Sequence, residues 1–86
     1  MAGFVDRIRR FERQRRFWRL VDVRGRQDCW EWHGQFDASG RALYRGHAAH
    51  EHAYQLMRGP LPRGAALRRT CAHHACVNPE HFERVA

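Results

Sequence analysis

The sequence predicts a small α+β fold that is held together by a bound metal ion. Its 86 residues allow one domain with a thin apolar core, which proteins of this size often supplement with a metal. Turn residues separate short apolar segments, some with helical spacing and some alternating. The 3 cysteines are an odd number for a disulfide framework, but with one histidine they complete a structural zinc site.

The composition argues against a membrane-spanning chain. Charged residues make up 29% of the sequence and the mean hydropathy is -0.79. No apolar run approaches the roughly 20 residues that a spanning helix needs. The basic start of the chain lacks an apolar stretch followed by a small-residue cleavage site, so we expect no secretory signal. We therefore predict a cytoplasmic protein with reduced thiols.

The charge of the chain favours a nucleic-acid partner. The formal net charge is +7, and all 16 basic residues are arginine. Arginine forms bidentate contacts with phosphate and with guanine. An arginine-rich composition is also typical of GC-rich genomes, so charge alone leaves both interpretations open.

The N-terminal part of the chain predicts a basic amphipathic helix over residues 4–20. Phe4, Ile8 and Phe11 share one face with Trp18, and the other positions are dominated by arginine. Like charges at this spacing repel one another, and a polyanion would relieve the repulsion. The apolar stripe either closes the core of the domain or docks on a partner protein. We divide the chain into a helical extension, residues 1–16, and a zinc-binding domain, residues 17–86.

The rest of the chain predicts short elements joined by turns. A polar connection, residues 21–28, precedes them. We expect strands over 29–36 and 41–46, separated by a turn at 37–40, and then a helix over 48–58 that ends at Gly59. An extended segment over 65–70 should lead into a tight knuckle from Cys71 to Cys76. Asn78 and Pro79 should start a final helical turn. The three tryptophans are expected in the core.

Four residues have the spacing of a zinc site. Cys71 and Cys76 can converge on one ion from the knuckle, and His81 can reach the same ion from the following helical turn. Cys29 would supply the fourth ligand and close a long loop. His50, His73 or His74 could take the place of His81. Alternatively, the cysteines are small buried hydrophobic residues without a metal.

Several segments, in order, resemble one family. They are Phe17 to Val23, Cys29-Trp-Glu-Trp-His-Gly34, Ala49-His-Glu-His-Ala-Tyr54, Gly59-Pro-Leu-Pro-Arg-Gly64, and Cys71 with Cys76-Val-Asn-Pro-Glu-His-Phe82. This pattern resembles the phage-type HNH homing endonucleases and their His-Cys-box relatives. The resemblance implies a ββα-metal fold, a bacterial or phage-infected cell, and one structural zinc per chain held by Cys29, Cys71, Cys76 and His81.

The resemblance also implies a lost active site. The family places a general-base histidine where this chain has Arg69, and a metal-binding asparagine on a helix beyond the last residue of the chain, Ala86. Arginine stays protonated and cannot accept a proton from water. We therefore expect no catalytic residue, and expect Arg68 and Arg69 to bind phosphate instead.

DNA binding without cleavage is the function that we expect from the sequence. The predicted nucleic-acid contacts are all arginines: Arg9, Arg10, Arg13, Arg16, Arg41, Arg45, Arg68 and Arg69. Two alternatives remain open. One is a nicking endonuclease in which His73 or His74 acts as a displaced base, and the other is a phage protein that binds a host protein.

Overall fold

The computed structural model describes residues 14–85. These residues form short antiparallel strands and one longer helix. This confirms the α+β class, while the ββα-metal arrangement stays a prediction. In chain order the elements are α1 (Arg15–Trp18), β1 (Val21–Asp22), β2 (Glu31–Trp32), β3 (Gln35–Phe36), β4 (Ala42–Tyr44), β5 (His47–Ala48), α2 (Ala49–Arg58), β6 (Ala66–Arg69), a 3-10 turn (Pro79–His81) and β7 (Phe82–Val85).

The strands form small antiparallel sheets. β1 pairs with β2, with Val21 opposite Trp32. β3, β4 and β5 form a meander, in which Tyr44 lies opposite His47. β6 pairs with β7, with Arg69 opposite Phe82. The meander leads directly into α2, whereas the β6–β7 pair encloses the segment that carries three of the predicted metal ligands.

Aromatic side chains form the centre of the core. Phe17 of α1 is fully buried, and its ring centroid lies 5.2 Å from that of Trp32 and 5.0 Å from that of Tyr44. Trp18 and Trp30 are also buried, which confirms the prediction that the tryptophans lie in the core. Offset and edge-to-face contacts of this kind add to the stabilisation from buried area. The cluster joins α1, β2 and β4 into one body.

The predicted N-terminal helix can be compared with the structure only from residue 14 onward. There α1 ends at Trp18, earlier than predicted, because the chain turns at Leu20 and enters β1 at Val21. The predicted contacts Arg9, Arg10 and Arg13, and the apolar stripe from Phe4 to Phe11, lie outside the described residues. The predicted domain boundary after residue 16 falls within α1, and the division itself stays a prediction.

The predicted strand over residues 29–36 was wrong in one respect, because it is divided into β2 and β3. Gly34 lies between them, where a Cβ atom would meet Cζ2 of Trp32 at 2.4 Å. The indole of Trp32 folds back over this position and its Nε1 donates a hydrogen bond of 2.9 Å to the carbonyl of Gln35. The tryptophan therefore fixes the bend, which only glycine can accommodate without a shift.

Most of the remaining elements agree with the sequence prediction. α2 ends at Arg58, and Gly59 follows with a φ of 103°, a conformation that favours glycine. β6 lies within the segment expected to be extended. Two strands were not predicted: β1, in the segment expected to be a polar connection, and β7, which follows the 3-10 turn. Among residues 14–85, no helix has the length and apolar character needed to cross a membrane.

Candidate metal centre

Three sulfur atoms and one imidazole nitrogen meet at one point of the structure. The ligand atoms of Cys29, Cys71, Cys76 and His81 all lie within 4.8 Å of one another. Nδ1 of His81 is 3.5 Å from Sγ of Cys29 and 3.4 Å from Sγ of Cys76. A tetrahedral zinc ion with ordinary bond lengths separates sulfur from nitrogen by about 3.5 Å. The four residues are therefore close enough to hold a metal ion.

A short antiparallel pairing brings Cys29 to the knuckle. Cys76 forms an isolated β-bridge with Glu31. On either side of it, the amide of Trp32 donates to the carbonyl of Ala75 at 2.8 Å, and the amide of Val77 donates to the carbonyl of Trp30 at 2.9 Å. The segment after Cys29 is thus paired with the segment around Cys76, although the two are far apart in sequence.

The β6–β7 pair brings the other two ligands together. Cys71 follows β6 and His81 immediately precedes β7. The amide of Thr70 donates to the carbonyl of His81 at 2.7 Å, which extends the ladder to the residues beside both ligands. The paired strands close the loop between Cys71 and His81 at its base, so these two residues stay near each other independently of the conformation of the loop.

The orientation of the His81 ring suits metal binding through Nδ1. Its Nε2 lies 2.9 Å from the carbonyl oxygen of Gln27. Because a carbonyl oxygen only accepts hydrogen bonds, Nε2 must carry the proton and donate it. Nδ1 then has a free lone pair that faces the sulfur atoms. A second hydrogen bond of this kind fixes the tautomer and ring orientation of most metal-binding histidines.

Asn78 ties the loop that carries Cys29 to the turn that carries His81. Its side chain is fully buried. Its Nδ2 donates to the carbonyls of Arg26, at 2.9 Å, and Asp28, at 2.6 Å, and its Oδ1 accepts from the amide of Glu80 at 2.9 Å. The last bond is the N-cap predicted from the sequence. The two donated bonds place Asn78 between both halves of the site.

The electrostatics of the cluster favour a cation. Burial, together with the thiols of Cys76 and Cys71, raises the pKa of Cys29 to about 12. Burial also opposes ionisation of Cys71, but hydrogen bonding from the His73 backbone and the Arg69 guanidinium outweighs it and lowers that pKa to about 6. Without a metal, therefore, the Cys71 thiolate disfavours a second negative charge on the neighbouring thiol of Cys29. A soft divalent ion removes this conflict because it binds several thiolates at once.

The histidines considered as alternatives to His81 are engaged elsewhere. The ring of His50 stacks on Phe82 with centroids 4.6 Å apart. Nδ1 of His73 accepts a hydrogen bond of 3.2 Å from the amide of Ala75, and the ring of His74 faces Phe36. Among residues 14–85, the group that lies close enough to hold a metal ion contains His81 and none of these three.

The predicted nucleic-acid contacts that the structure describes lie in different surroundings. Arg16 is exposed on α1, and Arg45 is exposed at the turn between β4 and β5. Arg41 pairs with Asp37 at 3.5 Å, and Arg68 pairs with Glu83 across the β6–β7 sheet.

Arg69 faces the knuckle instead of solvent. Its Nη1 donates to the carbonyls of His73, at 2.6 Å, and Cys76, at 2.7 Å, and its Nη2 donates to the carbonyl of His74 at 3.0 Å. Neither these contacts nor the two bonds donated by Asn78 were predicted from the sequence. Neither role leaves a signal in residue spacing, since both depend on which backbone carbonyls converge after folding.

Comparisons with known proteins leave the family open. No protein-family model matches the chain, and neither curated proteins nor solved structures give a match. The HNH resemblance therefore stays a prediction based on the order and spacing of the motifs.

Proposed function

We propose that this protein is a zinc-stabilised, HNH-like domain that binds DNA without cleaving it. The observation that carries the proposal is the contrast between two neighbouring features. Cys29, Cys71, Cys76 and His81, which match the zinc ligands of the nucleases that the chain resembles, lie close enough to hold a metal ion. The position that matches the general base of those nucleases is Arg69, which bonds to the protein itself. This contrast supports a domain that keeps the metal ligands of the family and lacks its general base.

Zinc suits this donor set better than other metals. Thiolates and imidazole bind zinc in closed tetrahedral sites, and three cysteines with one histidine are a common structural combination. Hard cations such as Mg²⁺ and Ca²⁺ prefer oxygen ligands. The ion would join the segment at Cys29 to the segment from Cys71 to His81, and would stabilise a domain that has a small core.

The surroundings of position 69 argue against hydrolysis. A nuclease must remove a proton from water, and a guanidinium does not accept protons at physiological pH. His73 is a poor replacement, because its Nδ1 accepts from a backbone amide and its Nε2 lies 3.6 Å from a carboxylate oxygen of Glu31. Both ring nitrogens thus face protein groups.

Exposed arginines support the DNA-binding part of the proposal. The side chains of Arg41 and Arg68 are 81% and 68% exposed, and Arg16 and Arg45 are exposed as well. Ion pairs at such exposed positions contribute little stability, so these arginines can exchange their carboxylate partners for phosphate. Arg69 is left out of this surface, because its donors are directed at the knuckle; its predicted phosphate contact stays a prediction.

A salt titration of binding tests the proposal. Zinc-loaded protein is mixed with a fluorescent DNA duplex, and Kd is measured by anisotropy at several salt concentrations. If Arg16, Arg41, Arg45 and Arg68 together neutralise three or four phosphates, they make log K fall with log salt at a slope of about -2.7 to -3.6. Arg41→Gln and Arg45→Gln should each reduce the slope by about one. Arg24→Gln, which also removes an exposed, acid-paired arginine, is the control.

The two alternative functions, nicking of DNA and binding of a host protein, can be tested with the same zinc-loaded protein. Supercoiled plasmid with Mg²⁺ reports nicking, and nicking that disappears in His74→Ala would make the endonuclease the better assignment. No binding to duplex DNA at low salt would refute the proposal and favour a role in binding a host protein.

A further inference from the structure

Arg69 connects three carbonyl groups of the knuckle through one planar side chain. The knuckle, residues 71–76, carries two of the four candidate ligands. The guanidinium reaches its carbonyls at His73, His74 and Cys76 with bonds of 2.6, 3.0 and 2.7 Å. Only arginine offers five donors in a rigid plane, so no other side chain could satisfy this set of acceptors in the same position.

The side chain is itself held in place. Arg69 is the last residue of β6 and lies opposite Phe82 of β7. Its Cζ atom lies 4.8 Å from the centroid of the Phe82 ring, a distance at which the cation and the ring attract each other. The strand pairing and the ring thus orient the guanidinium toward the knuckle.

The guanidinium also lies close to a sulfur ligand. Nη1 of Arg69 is 3.8 Å from Sγ of Cys71. A divalent ion bound by three thiolates and a neutral imidazole leaves a net charge of about -1 on the centre. A fixed cation at this distance offsets that charge in a partly buried setting, where screening by water is reduced.

We propose that Arg69 is a positioning residue of the metal centre, which holds the knuckle in its metal-binding shape and offsets the negative charge of the thiolates. The residue found at the position of a lost catalytic base thus serves to retain the metal. This inference depends on the metal centre and is independent of DNA binding.

Metal-transfer kinetics test the inference. The zinc-loaded full chain is mixed with an excess of a chromophoric chelator, and the rate of zinc release is measured. We expect Arg69→Gln to accelerate release by about tenfold or more, the usual range for groups that support metal ligands. Arg68→Gln is the matched control, because Arg68 is adjacent to Arg69 in the chain but pairs with Glu83 on the exposed side of the sheet. Its replacement should leave the rate unchanged.

A second variant separates charge from hydrogen bonding. Arg69→Lys keeps the cation but cannot reach three carbonyls, so its release rate should lie between those of wild type and Arg69→Gln. Cobalt-substituted protein gives a readout of the sulfur ligands themselves. The thiolate-to-cobalt absorption band should shift in Arg69→Gln and shift less in Arg69→Lys.

Each outcome decides a separate point. Release rates within twofold of the Arg68→Gln control for both Arg69 variants, with unshifted cobalt bands, would overturn the role of Arg69. If Arg69→Gln does not fold, Arg69→Lys alone decides, and a wild-type rate in that variant has the same consequence. Wild-type protein that binds neither zinc nor cobalt would instead refute the metal centre.

Discussion

Replacing Asn78 with alanine should strongly destabilise the protein. The side chain is fully buried and makes three hydrogen bonds, two donated and one accepted. A typical protein hydrogen bond contributes about 1 kcal/mol, so their loss costs about 3 kcal/mol. The carbonyls of Arg26 and Asp28 would also lose the amide that now donates to them, which adds to the cost unless water enters.

Thermal unfolding of zinc-saturated protein measures this effect. A change of 1 kcal/mol shifts Tm by about 4–8 °C in a domain of this size, so Asn78→Ala should lower Tm by about 12–24 °C. Gln55→Ala is the control, since Gln55 is exposed on α2 and its replacement should change stability by less than about 0.5 kcal/mol. A Tm of Asn78→Ala within a few degrees of wild type would refute the assignment of Asn78 as the link between the two halves of the site.

Asn78→Asp provides an independent check of the same reasoning. A carboxylate keeps the acceptor for the amide of Glu80 but cannot donate to the carbonyls of Arg26 and Asp28. It would face those two oxygens with a negative charge instead. We therefore expect Asn78→Asp to be at least as unstable as Asn78→Ala, and to weaken zinc binding because the loop before Cys29 is released. An aspartate variant as stable as wild type would show that the cap alone matters.

Three further predictions follow from the structure. His81→Ala should lower the bound zinc from one ion per chain to well below one, while His73→Ala retains it, as measured by metal analysis after gel filtration; the reverse result would move the ligand to the knuckle. Arg45 has a φ of 51° beside Gly46, and this left-handed conformation costs an arginine about 1 kcal/mol. Arg45→Asn should therefore raise Tm by a few degrees, and it should weaken DNA binding because the positive charge is lost. Burial lowers the pKa of His50, so the unfolded chain binds a proton more readily than the folded protein. The free energy of unfolding should therefore fall as pH drops below about 6.5. With both proteins zinc-saturated, this decrease should be smaller in His50→Phe.

The sequence predicted those features that depend on local chemistry. Gly59 and the pair Asn78-Pro79 mark the end of α2 and the start of the 3-10 turn because their backbone preferences are strong. The ligand set Cys29, Cys71, Cys76 and His81 was predicted from donor type and spacing, and the structure brings these residues together.

The features that the sequence did not predict depend on tertiary packing. The strand expected over residues 29–36 bends at Gly34 because the Trp32 indole occupies the space beside it, and alternation along a sequence carries no information about such a fold-back. β1 and β7 contain two and four residues and exist through their partners, since strands this short have little intrinsic stability. The inward orientation of Arg69 likewise follows from carbonyls that converge only in the folded chain.

Under the function that we propose, Arg69 stands at the position of a nuclease general base and bonds to the knuckle instead. A histidine at this place could not donate to three carbonyls, whereas the arginine forms three bonds to the backbone of the knuckle. Replacing Arg69 with histidine would therefore remove those bonds and the fixed charge near Cys71. We expect Arg69→His to release zinc faster than wild type and to leave plasmid uncut. In this proposal the side chain that stands in place of the base also supports the metal ligands, so a change to histidine carries a penalty in metal retention.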